Sequence, residues 1–165
     1  MRQAESFFIP TPIGELQIFC SENKVLEVNL GVDDKKCPQS LAKSSITPSD
    51  FAKSVKNQLD GYFNNPNVKF DIDVDVVGTS FQKSVWKVIS TIKKGETLTY
   101  TDVANQLDSS PRAVGNACRA NPVPIIVPCH RVVAKAGLGG FAGQSTGFNI
   151  DMKTWLRKHE QVALD

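Results

Sequence analysis

Nine consecutive residues, Ile125-Ile126-Val127-Pro128-Cys129-His130-Arg131-Val132-Val133, set a thiol, an imidazole and a guanidinium inside an apolar run. The apolar residues favour burial, and burying the three polar groups with them is costly unless each has a partner or a task. Pro128 removes a backbone donor, which argues against a simple central strand. A buried cysteine tends to keep its proton. To act as a nucleophile Cys129 needs a base, and a neutral histidine suits that task near neutral pH. In an extended segment neighbouring side chains point to opposite sides, so a water bridge is the natural link between Cys129 and His130. A third group, usually a carboxylate, must then orient the histidine. A core cysteine beside a satisfied histidine fits the same residues if nothing else matches.

The chain around this run has 165 residues, 41% hydrophobic and 22% charged, with 11 Gly and 9 Pro. That is the balance of a soluble globular protein of one ordinary domain or two small ones. No apolar run approaches the ~20 residues needed to span a bilayer. The first residues, MRQAESFFIPTPIGELQIFC, lack the apolar stretch and cleavage pattern of a leader, so the expected location is intracellular. Cysteines stand at 20, 37, 118 and 129 without a CxxC, and the histidines are His130 and His159 alone, so zinc-ligand spacing is not present. In a reducing compartment disulfides are not expected, and Cys20, Cys37 and Cys118 read as small buried apolar residues. Charge is unevenly spread. Residues 1–77 carry 8 Lys and Arg against 11 Asp and Glu, whereas residues 78–165 carry 11 against 6. An anionic partner, nucleic acid first, would therefore meet the C-terminal part.

The N-terminal part reads as mixed strand and helix. Alternation over Leu16-Gln17-Ile18-Phe19 and Val25-Leu26-Glu27-Val28-Asn29-Leu30 predicts two strands around a turn at Glu22-Asn23-Lys24. Residues 33–49 read as a polar loop. Asp50 is the expected N-cap of a helix with Phe51, Val55, Leu59 and Phe63 inward, stopping at Asn64-Asn65-Pro66. Strict alternation over Phe70 to Val76 predicts a strand with one wet face. No chemistry is visible in residues 1–77, and Gly78-Thr79 marks the boundary between two domains, 1–77 and 78–165.

Beyond it, Phe81, Val85, Trp86, Ile89 and Ile92 predict an amphipathic helix over residues 80–92. A short helix from Thr101 to Leu107, a tight turn at Asp108-Ser109-Ser110 and a third helix starting at Pro111 with Ser110 as cap have helix-turn-helix geometry. On the third helix Arg112, Gly115, Asn116 and Arg119 share one face with small Ala113 nearby, and Val114, Ala117 and Cys118 share the other. Gly115 costs the helix about 1 kcal/mol against alanine, which suggests that something approaches its axis closely. Arg112 in the first turn opposes the helix dipole, a placement that an anionic partner explains better than helix stability does.

Residues 78–160 resemble the O6-alkylguanine-DNA alkyltransferases, also called methylated-DNA–protein-cysteine methyltransferases. The resemblance runs through Gly78-Thr79, Phe81-Gln82, Val85-Trp86, Gly95-Glu96-Thr97 with Tyr100, Arg112-Ala113-Val114-Gly115, Asn121-Pro122 and Pro128-Cys129-His130-Arg131-Val132-Val133. Over residues 1–77 it is looser and rests on Thr11-Pro12-Ile13-Gly14 and the strand pattern. The resemblance implies an α+β chain: a small mixed α/β, ribonuclease-H-like N-terminal domain, then a mostly helical C-terminal domain with a helix-turn-helix. It implies DNA repair by a single-turnover, suicide transfer of the alkyl group from O6-methylguanine in duplex DNA, with O4-methylthymine as a second candidate, to Cys129. His130 would deprotonate Cys129 through a water, and Glu160 would orient the histidine. Asn121 would hold that water and the adjoining turn, and Tyr100 would protonate the leaving purine. Arg112 would fill the gap left by the flipped nucleotide, with Ala113, Gly115, Asn116 and Arg119 also facing DNA. The base pocket would be lined by Tyr100, Cys129, Val132, Phe141 and Ala142, with the carbonyls of Cys129 and Val132 accepting from the guanine amino group. An extruded base is required on independent grounds, because a buried thiol cannot reach O6 in a stacked base. No cofactor, metal or membrane is implied, and the expected protein is a monomer of the cytoplasm, or of the nucleus in a eukaryote.

The chain departs from the family pattern in three places. It is two residues shorter between Tyr100 and Arg112, has Phe141 and Ala142 where tyrosine and serine are common, and is longer between Gly143 and Lys153 through Gln144-Ser145-Thr146-Gly147. Altered lesion range with intact chemistry is the expectation. Two other classes compete. A non-enzymatic alkyltransferase-like lesion binder would lack the acceptor cysteine, and a cysteine hydrolase would need a nucleophile turn that is not visible here.

Overall fold

The computed structural model describes residues 5–30, 48–135 and 148–162. It divides into two compact units, Met1–Val76 and Val77–Asp165. Phe141 and Ala142, the added Gln144 to Gly147 and most of the polar 33–49 segment, Cys37 included, lie outside the described residues.

In the first unit β1 (Glu5–Thr11), β2 (Gly14–Cys20) and β3 (Val25–Asn29) form an antiparallel sheet in chain order. Thr11 pairs with Gly14 across a tight turn, where Gly14 has φ 105°, a conformation suited to glycine. β1 was not expected from the sequence: Phe7 and Phe8 break the alternation, and Pro10 argues against a strand. Its membership is explained by β2, which pairs with it along its whole length. Helix α1 (Asp50–Asn64) packs on β1 and buries Ala52, Val55, Leu59, Tyr62 and Phe63 at three- and four-residue steps. Its N-cap is Ser49, whose hydroxyl accepts from Ala52 N at 3.1 Å, with Asp50 one place further on than expected. Residues 70–76 keep the expected alternation of exposure but form no ladder. They meet β3 at Val25 alone, through Val25 N to Asp73 O and Asp75 N to Val25 O, both 2.9 Å. The period of two there reports a one-sided extended segment instead of a full strand.

The second unit begins with α2 (Ser80–Ile89), opened by a reciprocal cap between Thr79 and Gln82. It ends three residues before the expected Ile92, because the Ser90 and Thr91 hydroxyls bond back to Trp86 O and Val88 O. Ile92 is buried all the same. Trp86 is enclosed, and its indole donates to Ala117 O at 2.8 Å, tying α2 to the end of the third helix of this unit. A Cβ on Gly78 would lie 2.6 Å from that indole, so a side chain has no room there. Strand β4 (Leu98–Thr99) leads directly into α3 (Tyr100–Gln106), capped by Thr99, and α4 (Pro111–Arg119) follows, capped by Ser110 with proline first. The corner between α3 and α4 is closed by Asp108 in the left-handed region, φ 51°, and by Ser109 N bonding Ala104 O at 2.9 Å. This is the predicted helix-turn-helix; a single left-handed residue makes the short corner feasible.

After α4 the chain turns at residues 121–127 and enters one turn of 3-10 helix, Cys129–Arg131, followed by β5 (Val132–Val133). The tetrad is thus a tight turn, not the extended segment expected. β5 pairs in parallel with β4, Leu98 with Val132 and Thr99 with Val133. Helix α5 (Phe148–Val162) packs on the 3-10 turn and buries Met152, Lys153, Leu156 and Glu160, a stripe at helical spacing with two charged members. No described helix is long and apolar enough to cross a membrane.

Candidate active site

The turn before Cys129 is organised by one side chain. Asn121 accepts from Val123 N and donates through Nδ2 to Val127 O, both at 3.0 Å, and the same amide donates to the Cys129 sulfur at 2.9 Å. Inside this turn Ile125 has φ 75°. That is rare for a β-branched residue and costs of order 1–3 kcal/mol, which the burial of its side chain offsets. Cys129 N bonds Val127 O at 2.8 Å, and Cys129 is 4% exposed. Its thiol is held well above its ordinary value, first by its hydrogen bond with Cys118 and then by burial, while Asn121 and the Lys153 charge pull the other way. At rest Cys129 is a protonated thiol.

His130 is fully enclosed. Its Nε2 stands 2.7 Å from Glu160 Oε1, while Nδ1, also buried, has no hydrogen-bond partner among the described residues. Burial lowers the imidazole pKa below 6.5, and the opposing pull of Glu160 does not restore it. For Glu160 burial favours the neutral acid, but hydrogen bonds and charge from His130 and Arg131 outweigh it and hold the carboxyl far below its usual range. An ionised Glu160 can only accept. Nε2 therefore carries the histidine proton, and Nδ1 is left as an unprotonated acceptor, the state a base requires.

Arg131 completes this cluster. Its Nε reaches Glu160 Oε2 at 3.0 Å, Nη2 reaches Oε1 at 2.9 Å, and Nη1 donates to Ile92 O at 2.6 Å. The sequence reading gave Arg131 no role, although a guanidinium inside an apolar run called for a partner; the partner is the same carboxylate that holds the histidine. Lys153 was also missed. It is fully buried, donates to Val132 O at 2.8 Å and lies 5.9 Å from the Tyr100 ring centre, and burial brings its pKa down to about 8. Its only signal in the sequence was its place on the stripe that also holds Met152 and Leu156.

Tyr100 is the first residue of α3, and the β4–β5 pairing draws the start of that helix to the segment just beyond the 3-10 turn. Burial, then the two thiols at 118 and 129, push its phenol up to about 12, so it keeps its proton. Val132 N bonds Cys129 O, so both carbonyls expected at the base already hold one donor and keep a second lone pair. Cys118 is not the buried apolar residue expected. It is half-buried on α4, and its carbonyl lies 3.8 Å from the Cys129 sulfur.

The outer face of α4 is open. Arg112, Asn116 and Arg119 are exposed, Ala113 and Gly115 are half-buried, and a Cβ on Gly115 would meet nothing within 4 Å. Packing inside the protein therefore does not demand a glycine there. Val114 and Ala117 face inward. Among the described residues no three His, Cys, Asp or Glu side chains gather as a metal ion would need.

Two family profiles match the chain: the 6-O-methylguanine DNA methyltransferase ribonuclease-like domain over residues 7–76 and the DNA binding domain of the same family over residues 80–162. A protein of Acanthamoeba polyphaga mimivirus, named "Probable methylated-DNA–protein-cysteine methyltransferase", is 39% identical over 152 residues, covering 88% of this chain and 97% of that one. The crystal structure of the O6-methylguanine methyltransferase of Mycobacterium tuberculosis superposes with a TM-score of 0.81 at 29% identity, covering 98% of this chain and 94% of that one. The enzyme from the same organism in complex with DNA superposes with a TM-score of 0.75 at 32% identity, covering 94% of this chain and 92% of that one.

Proposed function

The chain belongs to the 6-O-methylguanine DNA methyltransferase family, and from that premise we propose that Cys129 is the thiol that takes the alkyl group. The protein repairs DNA by direct alkyl transfer to its own cysteine. The proposed substrate is O6-alkylguanine in duplex DNA, O6-methylguanine first and O4-methylthymine second. The observation that carries the assignment is His130, whose Nε2 is held by Glu160 while its buried Nδ1 has no partner among the described residues. A water between Nδ1 and the Cys129 sulfur satisfies both groups and gives the thiol proton a path.

As that proton leaves, negative charge grows on sulfur, and the Asn121 amide at 2.9 Å stabilises it more than it does the neutral thiol. The imidazolium formed on His130 is balanced by Glu160, which Arg131 keeps in place. The sulfur attacks the alkyl carbon, the carbon–oxygen bond breaks, and guanine leaves as its anion. The Tyr100 phenol supplies a proton to the purine ring, and the second lone pairs of the Cys129 and Val132 carbonyls hold the exocyclic amine. Water does not reverse a thioether, so each molecule acts once.

The α4 face of Arg112, Ala113, Gly115, Asn116 and Arg119 meets the duplex as the second helix of a helix-turn-helix does, and Arg112 occupies the gap left by the extruded base. In this reading the acting unit is a monomer, which is supported by the proposed acceptor and this helix lying in one compact unit. A reducing compartment, cytoplasm or nucleus, keeps the thiol free.

The test is mass spectrometry after mixing with methylated duplex DNA, where one methyl on Cys129 per protein is expected. Methyl on another cysteine, or continued turnover, ends the assignment. Arg112→Ala should impair repair of duplex DNA more than reaction with the free alkylated base, which needs no extrusion. Gly115→Leu should weaken DNA binding with the circular dichroism spectrum unchanged, and unaltered affinity would remove α4 from the interface.

A further inference from the structure

Cys118 plays no part in the transfer scheme, yet it stands against the acceptor. It follows Ala117, whose carbonyl is fixed by the Trp86 indole, so the end of α4 that carries it is firmly seated. The Cys129 sulfur approaches the Cys118 carbonyl at 3.8 Å, and each thiol is the largest influence on the other's proton. Both are free. Cys118 is half-buried where Cys129 is 4% exposed, so one member of the pair is within reach of a small solute and the other is screened. A side chain chosen only to pack there would need no thiol.

We propose that Cys118 and Cys129 are a dithiol modification site: a hydroperoxide converts them to a reversible intramolecular disulfide that masks the acceptor and spares it from irreversible oxidation. The masking rests on Cys129 being the acceptor; the disulfide does not. In the first step the Cys118 thiolate attacks the terminal oxygen of the peroxide. The sulfur–oxygen bond forms, the oxygen–oxygen bond breaks, and the departing alkoxide takes up a proton and leaves as an alcohol, or as water from hydrogen peroxide. In the second step the Cys129 sulfur attacks the Cys118 sulfenic acid. The sulfur–sulfur bond forms, and hydroxide leaves with the Cys129 proton as water. The two thiols together lose two electrons and the peroxide gains them.

The order follows from the surroundings. The neighbouring Cys129 lowers the Cys118 thiol below its ordinary value against its own burial, and Lys153 adds positive charge nearby. Cys118 is thus both the better thiolate and the more accessible one, as the first step requires. The disulfide would bridge α4 to the 3-10 turn across eleven residues of chain and would take the Cys129 sulfur from Asn121.

The experiment treats the reduced full-length protein with a small excess of hydrogen peroxide, blocks remaining thiols and maps peptides by mass spectrometry. A Cys118–Cys129 cross-link is expected, with loss of alkyl transfer, and dithiothreitol should reverse both. In Cys118→Ser, and in Cys118→Ala as a second variant against misfolding, transfer should proceed before oxidation. The same peroxide dose should then carry Cys129 to sulfinic acid, with a loss that dithiothreitol does not reverse. Absence of the cross-link, or equal recovery of parent and variants after reduction, overturns the proposal. A cross-linked protein that still accepts the alkyl group would overturn the masking through the acceptor assignment and not through the thiol pair.

Discussion

Cys20 at the end of β2 and Cys129 in the 3-10 turn are both enclosed free thiols with a carboxylate in the neighbourhood. At Cys20 the carboxylate is the direct neighbour, Glu5 Oε2 at 4.0 Å, and Glu5 is itself fixed by Ser49 N at 2.9 Å and by the Ser49 hydroxyl, so it ties β1 to the cap of α1. Burial first and Glu5 second push the Cys20 thiol up to about 11. At Cys129 the carboxylate is kept at one remove. Glu160 holds His130, and the sulfur itself receives a donor, the Asn121 amide. A carboxylate next to a thiol locks its proton on, whereas a carboxylate behind an imidazole prepares a base and leaves room for a donor at the sulfur. Burial is common to both sites, so the arrangement of partners decides which thiol can react.

The largest effect that tests this contrast is on the proposed acceptor itself. Cys129→Ser should abolish methyl uptake from methylated duplex DNA, and Cys20→Ser should leave it at one per protein. Uptake that survives the first change, or is lost with the second while the fold is retained, breaks the comparison. Next comes Glu160→Gln, which keeps the shape but removes the charge behind the imidazole. Single-turnover transfer should slow by about 10²-fold, within the usual range for a positioned base. DNA affinity should hold, and the fold should lose roughly 3 kcal/mol as Arg131 loses its counter-charge. Transfer at the parental rate would mean that Cys129 is activated without the histidine. Asn121→Ala should be milder, about tenfold slower, with about 1–3 kcal/mol lost from the turn it organises. If stability falls and the rate does not, the amide is a turn former only.

The smallest effect is the pH dependence of stability, in which an acid limb should belong to the Cys129 site and an alkaline limb to both sites. His130 and Glu160 have lowered folded-state values, so their contribution is present above about 6.5 and 4.5 respectively and is lost as pH falls through the lower folded-state values. Cys20 is raised, so its contribution is complete below 9.0 and is lost as pH rises through about 11. Urea midpoints measured across pH should fall on the acid side for the C-terminal unit and on the alkaline side for both units, since Cys129 and Tyr100 are raised as Cys20 is. Glu160→Gln should flatten the acid limb alone.

The residues that carried most from the sequence were those whose cost was visible locally. Cys129 and His130 could be singled out because an apolar run does not accept such groups without compensation, and α4 because Ser110-Pro111 opens a helix in plain view. Glu160 came only through the resemblance, since nothing local joins residue 160 to residue 130. The Arg131–Ile92 and Cys118–Cys129 contacts had no such help: each depends on how separate elements pack, which periodicity does not encode. The strand expected at 70–76 failed for a related reason. Alternation reports which side faces solvent, but pairing needs an edge long enough to meet it, and β3 offers Val25 alone.

Both tryptophans of the chain, Trp86 and Trp155, lie in the C-terminal unit, and the N-terminal unit has Tyr62 as its tyrosine. Red-edge excitation therefore yields an emission signal from the C-terminal unit alone, with no label added. The two indoles differ as chromophores. Trp86 is dry and fixed to Ala117 O, while Trp155 stacks on His159 at 4.6 Å between ring centres. Because the Trp86 bond ends on the same helix that presents Arg112 and Arg119, any tilt of α4 on a duplex would lengthen it and shift the blue component of the spectrum. The indole is thus a built-in optical gauge of how that helix is seated.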